Sequence, residues 1–262
     1  MKLSIITPSF NQGQFIRKTF ESILNQNINF ELEYILVDAV STDETSKIVK
    51  EFTPKFKAKN IDFKFICEKD NGQSDAINKG WKMATGDIIT YLNSDDFYEP
   101  NVLQSVMNYF QNNPKIKWAY GGWKLIDQNK NVFLINQPKK YIKKSLLFYC
   151  NIGQSSCFFR KEMLDELGYL DIDLHLSMDY DLWLRFATKY PAGIIDNILS
   201  NMRYHKDAKS MKFTQKQLFE NYKIGAKYTR PISWARTMQI FYLIRGLMAN
   251  FLKISKIQKG LR

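Results

Sequence analysis

The sequence predicts an α/β protein with a mainly parallel sheet flanked by helices and a basic helical extension at its C-terminal end. Three observations carry this. Short apolar, β-branched runs alternate with helix-length amphipathic stretches in the N-terminal part of the chain, the pattern of successive βαβ units. Three of those runs end in Pro8-Ser9, Asp38 and Asp95-Asp96, placing polar and acidic groups where the carboxyl ends of parallel strands face one crevice. Glu220 is the last acid, and nine cations follow it, interleaved with an apolar stripe from Trp234 to Phe251 at helical spacing,.

Taken in order, Leu3 to Thr7 reads as the first strand, stopped by Pro8, and Gly13 to Gln26 as a helix. Glu33 to Asp38 is the second strand. Ser41 and Glu44 have capping-box spacing and open a helix to about Phe52,. Asp62 to Cys67 is the third strand, Ser74 to Met83 a helix closed by Gly86, and Asp87 to Leu92 the fourth strand. Beyond residue 115 the pattern weakens. Ile116 to Ile126 and Val132 to Ile135 suit a hairpin, Lys139 to Tyr149 is a basic aromatic stretch, and Phe158 to Arg160 ends a short strand. Lys161 to Leu167 and Asp179 to Lys189 are helical. The chain divides into a body over 1–212 and an extension over 213–262.

Composition narrows the function. With 262 residues and 45% hydrophobic content the chain buries a full core,. Cys67, Cys150 and Cys157 lack CxxC spacing, so neither a disulfide framework nor a thiolate metal site is expected, and a reducing cytoplasm fits,. The N-terminus runs directly into a strand, and no signal peptide is expected. No GxGxxG follows the first strand, which argues against a dehydrogenase. No glycine-rich basic loop is present to grip a triphosphate, as a sugar-nucleotide nucleotidyltransferase requires.

Asp95 and Asp96 carry the chemistry at the sheet edge. Hard carboxylate ligands suit Mg²⁺ or Mn²⁺, ions that bind through one or two protein acids with substrate phosphates completing the shell. The ligand this implies is a diphosphate. A solvated strand-end turn is the alternative, since Asn93-Ser94-Asp95-Asp96 is also good turn chemistry,.

Ile5-Ile6-Thr7-Pro8-Ser9-Phe10-Asn11, Val37-Asp38 with Ser41-Thr42-Asp43, Asn93-Ser94-Asp95-Asp96, and Met178-Asp179-Tyr180-Asp181-Leu182-Trp183 occur in one order. Together they resemble the family 2 glycosyltransferases over about residues 3–210, with the GT-A nucleotide-sugar-binding fold. The resemblance implies an inverting transfer from a nucleotide-sugar donor, most simply UDP-linked, to a glycan or lipid-linked acceptor. It implies that Thr7, Pro8, Ser9 and Asn11 lie against base and ribose, that Asp38 contacts the base, that Asp95 touches the ribose and that Asp96 ligates Mn²⁺ or Mg²⁺. Without it, Asp38 reads as a strand-end cap for the following helix. Gln73 and Asp75 border the nucleotide by resemblance, and an ordinary helix N-terminus explains them as well. Asp179 is implied as the base that takes the acceptor proton. His205, after Arg203-Tyr204, is implied as a metal or diphosphate contact, although a lone histidine is more often structural. His175 reads as loop surface or as a wall on the acceptor side. Asp181 and Arg185, four apart on a helix, form a structural pair.

Two departures from the family pattern stand out. Met178 replaces the acid that commonly precedes the catalytic aspartate, and Ala39-Val40 stands where many relatives carry glycines, which restricts the turn over the base,. A catalytically inactive, basic membrane-binding protein of the same fold is the non-enzymatic alternative, and the retained Asp95, Asp96 and Asp179 oppose it. For the extension two readings stay open: basic helices lying peripherally on an anionic membrane at the cytoplasmic face, or helices packing their stripe on the core. The run from Thr237 to Leu252, broken by Arg245, is too short to span a bilayer,. Nucleic acid is not expected, because no binding motif accompanies the charge.

Overall fold

A computed structural model describes residues 1–127, 131–138, 143–205 and 208–259. The first half follows the alternating pattern: β1 (Lys2–Ser9), α1 (Gly13–Leu24), β2 (Glu31–Asp38), α2 (Thr45–Ala58), β3 (Asp62–Cys67), α3 (Gln73–Met83) and β4 (Ile88–Tyr91). Then come β5 (Phe97–Tyr98), α4 (Val102–Asn112), β6 (Trp118–Ile126), β7 (Val132–Asn136), α5 (Lys143–Leu146), a 3₁₀ turn (Gln154–Ser156), β8 (Cys157–Arg160) and α6 (Glu162–Leu167). The chain closes with α7 (Met178–Lys189), β9 (Gly193–Arg203), α8 (Lys209–Lys212), α9 (Thr214–Lys227) and α10 (Trp234–Lys259). The hairpin expected beyond residue 115 is β6–β7; Lys139 to residue 142, and the hairpin tip 128–130, lie outside the described residues.

The sheet runs β3-β2-β1-β4-β8-β6-β9-β5, with β7 also paired to β6. Its β3-β2-β1-β4 half is parallel. Beyond β4 it is mixed, because β8 runs antiparallel to both β4 and β6 while β6 and β9 are parallel. Residues of β1 and β2 alternate between two cores: Ile5, Tyr34 and Leu36 join Phe20, Phe52 and Phe56 on one face, and Ile6, Ile35 and Val37 join Trp81, Trp118 and Trp183 on the other. Burial on both faces is why these strands are near-continuous apolar runs.

Two local expectations are corrected. Pro8 does not stop β1, which continues to Ser9 beside Asp38. The Ile6 carbonyl accepts Leu92 N–H and the Ser9 carbonyl accepts Ala39 N–H, so alternate residues face β4 and β2. Pro8 therefore turns its missing donor to the side that β4 has already left,. Nor does Ser41 open a helix. α2 begins at Thr45, where Asp43 Oδ1 accepts Thr45 N–H at 3.0 Å while its Oδ2 accepts Gly13 N–H at 2.8 Å.

The extension is docked on the body. Ile224 of α9 is buried in the core that holds Tyr180 and Trp183, and Gln239 of α10 donates to the Leu147 carbonyl at 2.7 Å. Gly225 and Gly246 sit where a Cβ would collide with Gln239 and Leu218, so α9 and α10 approach closely at both points. No helix among the described residues is long and apolar enough to cross a membrane.

Candidate active site

The carboxyl ends of β1, β2 and β4 meet at one edge, and three polar groupings form there. The first joins the loops after β1 and β2. Ser41 donates its N–H to Asp38 Oδ2 at 2.7 Å and its hydroxyl to Oδ1 at 2.6 Å. Asn11 ties the loops further, its N–H reaching Ser41 Oγ at 2.8 Å and its Oδ1 accepting Thr42 N–H at 2.9 Å. Asp38 is thereby fully buried. It holds the loop after β2 with Ser41 as its donor, and no helix opens at Ser41 for it to cap. Thr7, Pro8 and Ser9 are likewise buried, while Phe10 (58%) and Val40 (43%) are exposed on the rim. Val40 has φ +58°; among the described residues the other non-glycine positions with positive φ are Asn11, Asn60 and Asn101. Asparagine tolerates that region, whereas a β-branched residue there is strained.

The second grouping is the acid pair. Asp96 is buried; its Oδ1 accepts Arg203 N–H at 2.9 Å and its Oδ2 accepts Gln154 Nε2 at 3.1 Å. Burial, with Asp95 adding to it, pushes this carboxyl well above the ordinary range. Asp95 instead turns into the crevice, its Oδ2 3.0 Å from His205 Nε2, with 22% of its side chain exposed. Asp95 is therefore the carboxylate that opens into the crevice, whereas each oxygen of Asp96 accepts one protein donor. Arg203 Nε donates to the Asp95 carbonyl at 2.9 Å, and its guanidinium lies over Phe15 and Phe97 at 4.9 and 5.5 Å.

Asp95 and His205 fit a divalent cation. Two ligands at adjacent corners of an octahedron with 2.0–2.1 Å bonds lie about 3 Å apart, and carboxylate with imidazole suits Mn²⁺. Among the described residues no three His, Cys, Asp or Glu side chains converge on one point, so the rest of such a shell falls to substrate and water.

The third grouping joins Gln73 to two side chains that have no role assigned from the sequence. Gln73 Nε2 donates to Asn93 Oδ1 at 2.7 Å, and Lys209 Nζ donates to Gln73 Oε1 at 3.0 Å. Asp75 does not join it. Its Oδ2 accepts Asn71 N–H at 2.9 Å and pairs with Lys79 at 3.5 Å.

Asp179 stands at the start of α7, its Oδ1 accepting Tyr180 N–H at 2.8 Å. Burial pushes its carboxyl up to about 6, the Tyr180 N–H opposes this, and the charge of Glu220 on α9 adds to the rise. The phenol of Tyr91, at the end of β4, is raised chiefly by burial, with the charge of Asp179 adding most after it. Glu220 Oε2 accepts Leu176 N–H at 2.9 Å, and Glu220 Oε1 accepts the N–H of His175, an exposed loop residue as expected, at 3.3 Å. Asp181 pairs with Arg185 at 2.9 Å, and the same guanidinium donates to the carbonyls of Leu167, Gly168 and Tyr169. Unpartnered buried polar atoms gather at this edge, among them Ser9 Oγ, Gln154 Oε1, Ser177 Oγ and His205 Nδ1. A hollow of about 330 Å³ lined by Lys18, Gln26, Glu99 and Lys124 contains none of these groups.

A family model described as "Glycosyl transferase family 2" matches residues 4–168. An uncharacterized glycosyltransferase of Rickettsia typhi is 26% identical over 265 residues, covering 95% of this chain and 77% of its own. The UDP-Glc:alpha-D-GlcNAc-diphosphoundecaprenol beta-1,3-glucosyltransferase WfaP of Escherichia coli is 28% identical over 190 residues, covering 71% and 70%. Among solved structures, Staphylococcus aureus TarS 1-349 in complex with UDP-GlcNAc superposes with TM-score 0.62 at 16% identity, over 94% of this chain and 72% of that one. The mannosyltransferase PcManGT of Pyrobaculum calidifontis, in complex with GDP-Man and Mn²⁺, gives 0.65 at 15% identity, over 99% and 80%.

Proposed function

The chain belongs to glycosyl transferase family 2 and is a glycosyltransferase of GT-A fold, and on that premise we propose that it transfers a sugar, with inversion, from a UDP-linked donor to a hydroxyl of a glycan or lipid-linked acceptor in polysaccharide synthesis. The observation that carries this is the Asp95–His205 pair at 3.0 Å, held at the same edge as the Gln73–Asn93 contact. UDP is favoured over GDP because the relative WfaP, matched in sequence, is named for UDP-Glc, whereas PcManGT shares only the fold. The lipid-linked acceptor is favoured by the same name, and in this reading the enzyme works peripherally at the cytoplasmic face of a membrane. The body, 1–212, contains the proposed donor and base residues; the extension, 213–262, is the part free to meet the acceptor's surroundings.

In this reading the base rests on the rim formed by Phe10 and Val40, over the clasp in which Asn11, Asp38 and Ser41 fix the loop; Thr7, Pro8 and Ser9 form its floor. Asn93 and Gln73 meet the ribose, and Lys209 lies within reach of the diphosphate. Asp95 and His205 would hold Mn²⁺ or Mg²⁺, which when bound neutralises charge on the departing diphosphate. Asp179 accepts the proton of the acceptor hydroxyl as that oxygen bonds to the anomeric carbon and the bond to the diphosphate breaks. A carboxyl lifted to about 6 is a stronger base than an ordinary one and is still ionised at neutral pH,.

The test is calorimetric UDP binding with and without Mn²⁺. Asp95→Asn lowers the Mn²⁺-dependent affinity by about tenfold or more. Asp96→Asn acts first on stability, because its amide meets the donors of Arg203 and Gln154,. Unchanged metal-dependent binding in the Asp95 variant overturns the assignment.

A further inference from the structure

The outward face of α10 is apolar. Trp234, Ile240, Phe241, Ile244 and Met248 are between 42% and 62% exposed, and at 3.6 residues per turn they share one side of the helix with Thr237, Arg245 and Ala249,. A surface helix ordinarily turns such a side inward. This one is prevented from rolling over. Its opposite side is fixed by Gln239 on the Leu147 carbonyl, by Arg236 Nη2 on the Ala226 carbonyl at 2.8 Å, and by the close approach of Gly246 to Leu218.

The charge around this face has one sign. From Phe213 to Ala249 the single acid is Glu220, and its two oxygens accept the His175 and Leu176 N–H groups. The exposed positions of α9 include Lys216, Phe219, Lys223 and Lys227, with Arg230 exposed just beyond. A second copy of the chain is a poor cover, because it would bring an equally cationic, acid-free surface against this one. An anionic lipid surface supplies both missing partners.

We propose that the α9–α10 hairpin docks on a membrane rich in anionic lipid, with Trp234, Phe241, Ile244 and Met248 entering the headgroup–acyl boundary and Lys223, Lys227, Arg230 and Arg245 meeting lipid phosphates. The proposal deepens the reading of a lipid-linked acceptor by naming the surface that brings the site to it. Lipid binding is measured without acceptor, so the two fail separately.

The experiment is co-sedimentation of the full chain with phosphatidylcholine vesicles and with equimolar phosphatidylcholine–phosphatidylglycerol vesicles. Binding is expected on the anionic vesicles, weakening with salt. Phe241→Ser weakens it about tenfold, the effect of withdrawing roughly half a phenyl side chain from the apolar layer,, while Phe241→Leu retains it. Lys223→Glu with Lys227→Glu removes the preference for anionic lipid. Vesicle-free UDP-sugar hydrolysis at the parent rate in each variant shows that the fold is intact. Equal, negligible sedimentation on both lipids overturns the proposal. So does a dimer in solution that Phe241→Ser converts to monomer.

Discussion

Asparagine at position 179 should make the protein more stable and nearly inactive. The carboxyl is raised from an ordinary value near 4 to about 6, chiefly by burial,. The folded state therefore binds its proton more tightly than the unfolded chain does. Stability falls as pH rises from about 4 to about 6, and the full penalty is present above that window. A rise of about two in pKa corresponds to at most about 3 kcal/mol; because Asp179 is only half-buried by exposed area, solvent screening brings the expectation to about 1–2 kcal/mol. The asparagine keeps an oxygen for Tyr180 N–H and carries no charge to desolvate. Urea melts at pH 8 should show Asp179→Asn more stable than the parent by that amount, with the advantage gone near pH 4. Turnover should fall by about 10² to 10⁴ with UDP binding unchanged, and the parent's turnover should drop about tenfold per pH unit below 6. A variant no more stable than the parent at pH 8, or one whose advantage is equal at pH 4 and 8, refutes the account of a desolvated base.

Two further outcomes follow from the loop over the base and from the opposite sheet edge. Val40→Gly relieves a left-handed β-branched residue costing about 1–2 kcal/mol,, offset by about 0.5–1 kcal/mol of glycine entropy, so thermal melting should show no loss and up to about 1 kcal/mol of gain; a clear loss means the valine side chain makes a contact that outweighs the strain. Glu33, fully buried between Ser4, Lys64 and Thr85, has its carboxyl held down to about 2 chiefly by the Lys64 and Ser4 contacts against an opposing burial effect. Its stabilisation is complete above about pH 4.5 and disappears as pH falls toward 2, and Glu33→Ala should cost about 3 kcal/mol at neutral pH, read from chemical denaturation.

Much of the first half was legible because β1, β2 and β4 are buried on both faces, which forces mainly apolar runs with few polar residues inside them. Which of Asp95 and Asp96 opens into the crevice was not. β4 ends at Tyr91, and in the turn that follows no alternation rule says which side chain points outward. That is decided by Gln154 and Arg203, 58 and 107 residues away. Likewise the Gln73–Lys209 contact spans 136 residues and leaves no local mark. β9 is long, yet its pairing with β6 shifts register twice and its pattern contains Asp196, Asn197 and Asn201, so it reads poorly as a strand. For α10, periodicity reveals that an apolar side exists without saying which way it faces. The direction comes from Gly225, Gly246 and Gln239, whose close contacts belong to tertiary packing.

Glu220 and Gln217 extend from α9 to the loop that precedes Asp179, Glu220 on the N–H groups of His175 and Leu176 and Gln217 on the Leu176 carbonyl at 3.2 Å. The helix thus splints the segment that leads into Asp179. Shortening the protein at residue 212 would discard that splint and empty the socket filled by Ile224, so a deletion that silences transfer says nothing about where the chain attaches. Only changes confined to the outer sides of the two helices separate anchorage from chemistry, and a relative that swaps its C-terminal helices must also re-brace the start of α7.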